Sequence, residues 1–316
     1  MASEPFNGAA RRQALKCLAY GGAGTLFTLA GGVLVPTALA AADGKPLSHT
    51  DRPVGVPLFV QISDTHIGFS KEANPDVVGT LKQTIALVNG MVSTPTLMIH
   101  TGDITHLSKP EEFDTAAQLL SELRVTELHT TPGEHDVADA SVSEYFSRYG
   151  KPSGGRGYYS FDHRGVHFIC LINVLTFKPN SLAELGPEQR SWLAADLKAR
   201  SRSTPIVVFA HMPLWSIYEP WGWGTSDAAQ AMELLQPFGS VTVLNGHIHQ
   251  IVQKVEGHIT FHTARSTAYP QPEPGKAAGP GPLKVPADQL ARMLGVTTVT
   301  EQKSSHQLLL TDRTLG

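Results

Sequence analysis

From Pro57 onward, short apolar runs alternate with longer segments of helical spacing, and each run ends in a cluster of Gly, Asp, Asn or His. The runs are Leu58–Ile62, Leu97–Thr101, Leu128–Thr131, Ile206–Ala210 and Val241–Leu244. Each is too short for a stable helix, and several are rich in β-branched residues, which predicts strands. Between them, Pro75–Met91, Pro110–Leu123, Pro187–Ala199 and Ser226–Gln236 show helical spacing. Three of these carry proline near the start, where its missing N–H costs no hydrogen bond. Strand, helix, strand is the order of an α/β fold. Tyr158–Asp162 and Val166–Val174 flank a turn at His163–Gly165, and Ile251–Glu256 and Ile259–Thr263 flank Gly257, so both pairs read as hairpins. Antiparallel pairs added to crossovers predict a mixed sheet, or two sheets face to face between helices. The alternation stops after Tyr269. Pro270–Pro286 is too rich in Pro and Gly to pack a core and is expected as an extended wrap or linker. Residues 287–316 predict one short helix and one strand, with no motif.

The first forty residues follow a different pattern. Arg11-Arg-Gln-Ala-Leu-Lys16 precedes the apolar, glycine-rich stretch Cys17–Val35, which is followed by Pro36-Thr-Ala-Leu-Ala-Ala41. A basic region, an apolar region and small residues at the cut are the parts of a signal peptide. The arginine pair resembles a twin-arginine signal, although Ala10 precedes the pair and Ala14 stands where a bulky apolar residue is usual. An uncleaved anchor is the alternative, since about 19 apolar residues just span a bilayer; the five glycines of the stretch favour cleavage. The expected organisation is therefore a signal at 1–40, a catalytic domain at 41–269 and an extension at 270–316. The mature chain would be exported to the periplasm or beyond by the twin-arginine machinery, with no stable membrane span.

Composition narrows the partners. The formal charge is −3, and loss of Arg11, Arg12, Lys16 and Glu4 with residues 1–40 leaves −5. Nothing basic enough to track nucleic acid remains. Of the two cysteines, Cys17 falls in the N-terminal segment and Cys170 in a strand-like run, so the mature chain holds one thiol and no internal disulfide.

The polar clusters at the strand ends carry the chemistry. Asp64-Thr-His66 alternates, so on an extended backbone both side chains face one way and can share an ion. Gly102-Asp103, Gly133-Glu-His-Asp136, His211 and Gly246-His-Ile-His249 follow the next four strands. Hydrolytic divalent metals take carboxylate oxygen and imidazole nitrogen, and two close ions need one bridging ligand, a role open to Asp103. Ligands from five strand ends converge on the crevice beyond their carboxyl ends.

The ordered set D-x-H, G-D, G-x-H-D, H and G-H-x-H, from Asp64 to His249, resembles the calcineurin-like metallophosphoesterase family. The resemblance implies a four-layer αββα sandwich, two mixed β-sheets flanked by helices, in a single catalytic domain. It implies two transition metal ions (Fe, Mn or Zn), one held by Asp64, His66, Asp103 and His249. The other takes Asp103, Glu134, His211 and His247. It further implies that a metal-bound hydroxide attacks a small phosphomonoester or phosphodiester, with His135 as general acid or transition-state stabiliser, oriented by Asp136.

This sequence departs from the family in two places. Glu134 stands where Asn is usual; either its carboxylate coordinates and tightens binding while dampening Lewis acidity, or it swings away and weakens the second ion. A non-catalytic metal-binding scaffold is the rival function, and retention of His135 and Asp136 argues against it. His106 stands three residues after Asp103, where an aspartate is frequent and purple acid phosphatases place a tyrosine; it lines the pocket or serves the surface. An H-E-x-x-H helix is missing, which excludes the common zinc peptidase pattern. His100, His163 and His167 read as core or surface residues. His262 and Arg265 offer either a phosphate fork or a structural ion pair. Pro213–Asp227, with Trp215, Tyr218, Trp221 and Trp223, offers either a stacking lid or packing beneath a long loop.

Overall fold

Strands that are apolar on both faces must be covered on both sides, and the central strands of this protein are of that kind. A computed structural model describes residues 26–30, 33–37, 57–137, 142–302 and 307–316. The chain divides into two units, Met1–Val54 and Gly55–Gly316. In the first, β1 (Leu26–Ala30) and β2 (Val33–Thr37) form an antiparallel ribbon. Most of the expected signal peptide lies outside the described residues.

The second unit holds two mixed sheets. One has the order β13-β12-β3-β4-β5, built from β3 (Phe59–Ile62), β4 (Leu97–His100), β5 (Glu127–Thr130), β12 (Gly295–Gln302) and β13 (Gln307–Thr314). β3, β4 and β5 run parallel, and β12 lies antiparallel to β3. The other sheet has the order β10-β11-β9-β8-β7-β6. It contains β6 (Tyr159–His163), β7 (Val166–Cys170), β8 (Ile206–Phe209), β9 (Val241–Asn245), β10 (Gln253–Glu256) and β11 (Ile259–Thr263). β7, β8, β9 and β11 run parallel, with antiparallel edges at β6 and β10.

Side-chain alternation along each strand sorts residues into three apolar layers. Phe59, Leu97, Ile99, Phe168, Cys170, Val207, Phe209 and Leu244 meet between the sheets. Val60, Ile62 and Met98 point away from them, toward α1 (Val77–Asn89), α2 (Pro110–Leu120) and α3 (Val142–Tyr149). Ile169, Ile206, Val208, Val241 and Val243 face α4 (Pro187–Lys198) and α5 (Ala228–Leu235) on the far side. The result is the four-layer αββα sandwich. Among the described residues no helix is long and apolar enough to cross a membrane.

Two elements differ from expectation. α3 was not foreseen: it is one eight-residue helix whose apolar positions are Val142, Tyr145, Phe146 and Tyr149, and three of these pack on the first core. Residues 287–316 supply α6 (Ala287–Met293) and two strands, β12 and β13, where the pattern predicts one. Threonines 297, 298 and 300 blur the apolar alternation of β12, yet they suit a pleated, half-covered surface. Pro270–Pro286 contains no helix or strand, as its composition predicts.

Candidate metal centre

The candidate ligands sit at the carboxyl ends of five parallel strands, two or three residues after the last paired position in most cases. β3 leads to Asp64 and His66, β4 to Asp103, and β5 to a 3-10 turn at Glu134–Asp136. From the other sheet, β8 leads to His211 and β9 to His247 and His249. Asp64, His66, Asp103, His247 and His249 all take positive φ, between 41° and 69°. Asp and His tolerate this region better than most residues, and strained backbone concentrates at functional sites. The curl it produces turns each side chain inward. Gly102 is needed at φ 97°, because a Cβ there would lie 2.7 Å from the Gly133 nitrogen.

Two clusters result, one of Asp64, His66 and His249 and one of Glu134, His211 and His247. In the first, His66 Nε2 is 3.2 Å from His249 Nε2, which is 3.2 Å from Asp64 Oδ1. In the second, His211 Nε2 lies 2.9 Å from Glu134 Oε2, and His247 Nδ1 lies 3.0 Å from Glu134 Oε1. Asp103 joins them: its Oδ2 is 3.5 Å from His66 Nε2 and 3.4 Å from His211 Nε2.

These spacings fit a pair of ions. Donors about 2.1 Å from a common ion, at roughly 90–109° to each other, lie about 3.0–3.4 Å apart. The orientation says the same. Glu134 Oε2, His211 Nε2 and His247 Nδ1 are buried and make no hydrogen bond, although each has an oxygen or nitrogen near 3 Å. Their lone pairs converge on shared space rather than pointing along a donor–acceptor line.

The far side of each imidazole is fastened. His211 Nδ1–H donates to the Thr101 carbonyl at 2.7 Å, and His249 Nδ1–H to the Tyr269 carbonyl at 2.6 Å. Such bonds fix the tautomer and leave Nε2 free for an ion. Asp103 Oδ1 accepts from the His135 backbone N–H at 2.9 Å, and Asp64 accepts from the His247 N–H. Burial opposes charge throughout, yet the field of the carboxylates prevails at His211, which is raised well above the ordinary imidazole range by Asp103 and Glu134. Burial likewise opposes ionisation of Glu134, and His247 and His211 override it to hold the carboxyl well below its usual range. The cluster is one that attracts positive charge.

His135 is half-buried beside this centre, its ring 4.8 Å from that of His66. Its Nδ1–H donates to the His106 carbonyl at 2.7 Å, which leaves Nε2 toward the cluster side, where the residue groups with Asp103 and Glu134. The expectation that Asp136 orients this ring is not met. The 3-10 turn points Asp136 inward, where its carboxylate accepts from the N–H groups of Ile104, Thr105 and Gly133 and from the Thr105 hydroxyl. Burial, followed by the charge of Asp103, pushes it up to about 7 against those donors. Asp136 thus holds the Asp103 loop to the Glu134 turn and does not touch the His135 ring.

The structure decides the remaining candidates. Glu134 faces the second cluster and does not swing away. His106 stacks on His135 at 4.8 Å and 16° and lines the site. His100 is buried in the core, as expected, and burial pulls it down to about 3. It also accepts from Gly102 N–H and meets the Thr65 hydroxyl at 3.2 Å, so it ties the first two motifs together. His167 lies between Asp162 and Asp196, away from the centre. His262 pairs with Asp312 and Arg265 donates to the Met293 carbonyl, so both are structural. Trp221 and Trp223 pack against Ile248 as a buried cluster, beneath the loop rather than as a lid. Tyr269, which carries no motif, was missed: its hydroxyl lies 3.2 Å from His66 Nε2 and its ring stacks on His66 at 4.8 Å.

Three carboxylates and four imidazoles gathered at strand ends between two helix-flanked sheets make a donor set suited to divalent metal ions. The chain belongs to the calcineurin-like phosphoesterase family, whose model matches residues 57–251. Purple acid phosphatase 15 of Arabidopsis thaliana is 32% identical over 129 residues, which are 37% of this chain and 23% of that protein. The glycerophosphodiester phosphodiesterase GpdQ of Enterobacter lignolyticus is 27% identical over 239 residues, covering 68% of this chain and 79% of its own. The chain therefore spans under a quarter of the plant protein's length but most of the bacterial one. Among solved structures, a dimetal phosphatase from Danio rerio shares the fold, with a TM-score of 0.63, 14% identity, and coverage of 83% of this chain and 97% of that one.

Proposed function

We propose that the protein is a dinuclear-metal phosphoesterase that hydrolyses small phosphomonoesters or phosphodiesters outside the cytoplasm. One observation carries this reading: the single oxygen Asp103 Oδ2 lies 3.5 and 3.4 Å from imidazoles of two separate donor clusters, as a bridging ligand must. Asp64, His66, Asp103 and His249 would hold one ion, and Asp103, Glu134, His211 and His247 the other. Bound there, the ions supply Lewis acidity toward phosphoryl oxygen and lower the pKa of water to near neutrality.

The remaining work belongs to the chain. His135, fixed through Nδ1, presents Nε2 as a proton donor to the leaving oxygen. His106, stacked upon it, keeps the ring from rotating out. A fastened acid at the lip of the centre has no use in a scaffold, which favours catalysis over mere metal binding. The phosphodiesterase relative spans most of both chains, so glycerophosphodiesters head the substrate panel. Export is supported by the order of basic, apolar and small residues across 1–40.

The test is metal analysis of the full chain with a panel of mono- and diesters, and fractionation of producing cells. Two bound transition ions and turnover are expected, with the protein outside the cytoplasm. His135→Ala should keep both ions and lose about 10²–10⁴ in rate. A protein that binds no transition metal and turns over nothing would sink the proposal.

A further inference from the structure

Along β3 the side chains of Phe59 and Gln61 share one face, and Ser63 continues it just past the strand; Leu97, Ile99 and Thr101 do the same on β4. Phe59, Leu97 and Ile99 belong to the apolar layer between the sheets. The layer thus turns polar toward the carboxyl ends of the strands, directly behind the candidate metal centre. Gln61, Ser63 and Thr101 are each fully buried.

Their hydrogen bonds form a chain with one direction. Gln61 donates from Nε2 to the Asn245 main-chain carbonyl at 3.2 Å, which fixes the orientation of its amide, and the same nitrogen donates to Thr101 Oγ1 at 3.0 Å. Thr101 Oγ1, the acceptor there, donates to Ser63 Oγ at 2.7 Å. The Ser63 hydroxyl is left to bond the Asp64 carboxylate. Gly246 makes room for this last link, since a Cβ there would collide with Ser63 Oγ and lie 2.7 Å from Asp64 Oδ2. The other Asp64 oxygen, Oδ1, is the one that meets His249 Nε2.

Stability alone does not account for Gln61. Its Oε1 is buried without a partner, which is costly. The Asn245 carbonyl is already bonded by the Ala264 N–H at 2.8 Å. An apolar side chain of similar length would fill the same space and bury no orphan acceptor.

We infer that Gln61, Thr101 and Ser63 are positioning residues, a buried chain of donors that holds Asp64 Oδ2 from behind and so presents Oδ1 to the first ion. This rests on the two-metal reading above. Gln61→Met, Thr101→Val and Ser63→Ala each remove one link at nearly constant shape. None touches the bonds that hold His211, which run from its Nδ1 to the Thr101 carbonyl and from Asn245 Nδ2 to the carbonyls of Ala210 and Met212 on either side. The second ion is therefore an internal control.

The test measures both ions by metal titration and competitive chelation of the full-length protein, and the fold by thermal melting of the metal-free protein. Each variant is expected to bind one ion about ten- to a hundredfold more weakly, the range for partners that orient a metal ligand, with little change in the other. Metal-free Gln61→Met is expected to melt at or above the wild-type midpoint, whereas a packing role would lower it. The double variant Gln61→Met/Ser63→Ala should bind no more weakly than Ser63→Ala alone, because the two act through one path. Unchanged affinities in Ser63→Ala, losses that add in the double variant, or a lowered midpoint in Gln61→Met would overturn the chain and leave the two-metal reading standing. A wild type that binds no second ion defeats that reading instead.

Discussion

Glu134 is the residue at which this centre departs most from the pattern it resembles. A carboxylate in place of an amide adds one negative charge next to His211 and His247, both within 3.0 Å of its oxygens. Burial of Glu134 disfavours that charge, and the His247 and His211 imidazoles offset it. A cation would offset it more fully, since bound metal ions are often the largest local charges in a site. Glu134→Asn should therefore weaken the second ion by at least tenfold, about 1.4 kcal/mol, while leaving the first in place. Its effect on rate has the opposite sign once the site is saturated, because a neutral ligand leaves the ion a stronger Lewis acid. Competitive chelation against metal content, together with the rate at excess metal, checks both. Equal content and equal rate in the variant would remove Glu134 from the ligand set.

At the scale of elements, the loops that carry the candidate ligands are held from behind. The β9 loop carries His247 and His249 with Ile248 between them, and Ile248 is fully buried against Trp221 and Trp223. The indoles meet edge to face, 5.0 Å apart at 79°. Trp223→Ala would empty a large volume beneath that loop, a change that costs roughly 3–5 kcal/mol in a closed core. The expected result is a lowered unfolding midpoint and weaker retention of both ions; an unchanged midpoint would show that the cluster does not support the loop. The sequence could announce the candidate ligands but not this backing. Asp-x-His and Gly-His-x-His advertise themselves by residue type and spacing, and the five strands feeding them are plain apolar runs. Aromatics after His211 signal only that something flat is nearby, because burial and lid roles share one composition. Tyr269 was invisible for a related reason. It lies twenty residues beyond His249 and reaches the first cluster through the path of the chain, which no local pattern encodes. Asp136 shows the converse: the motif named the residue, and only the 3-10 turn reveals that its carboxylate serves backbone donors.

Across the molecule, the two sheets must stay in register for the candidate ligands from both to meet. Asp64, His66, Asp103 and Glu134 come from the β3–β5 sheet, and His211, His247 and His249 from the β8–β9 sheet. The apolar layer between the sheets is slippery in the sense that dispersion has little direction, so a directional tie matters. One such tie joins β11 to β13: His262 Nε2 is 3.1 Å from Asp312 Oδ1, which also accepts from the Thr297 hydroxyl at 2.7 Å. Burial would raise the Asp312 carboxyl, but the His262 charge and the hydrogen bonds from His262 and Thr297 prevail and hold it below the ordinary aspartate range. A depressed acid contributes stability that is present above its unfolded pKa, about 3.9, and lost as pH falls through its lower folded value. Asp312→Asn should thus cost roughly 1.5–3 kcal/mol at pH 7, the range for hydrogen bonds to charged groups. The gap in unfolding midpoint between wild type and variant should hold down to about pH 5 and close below about pH 4. Thermal melts of both proteins across that range measure it. A gap that is absent at pH 7, or that persists undiminished in acid, would mean that the ionised Asp312 carboxylate does not couple the sheets.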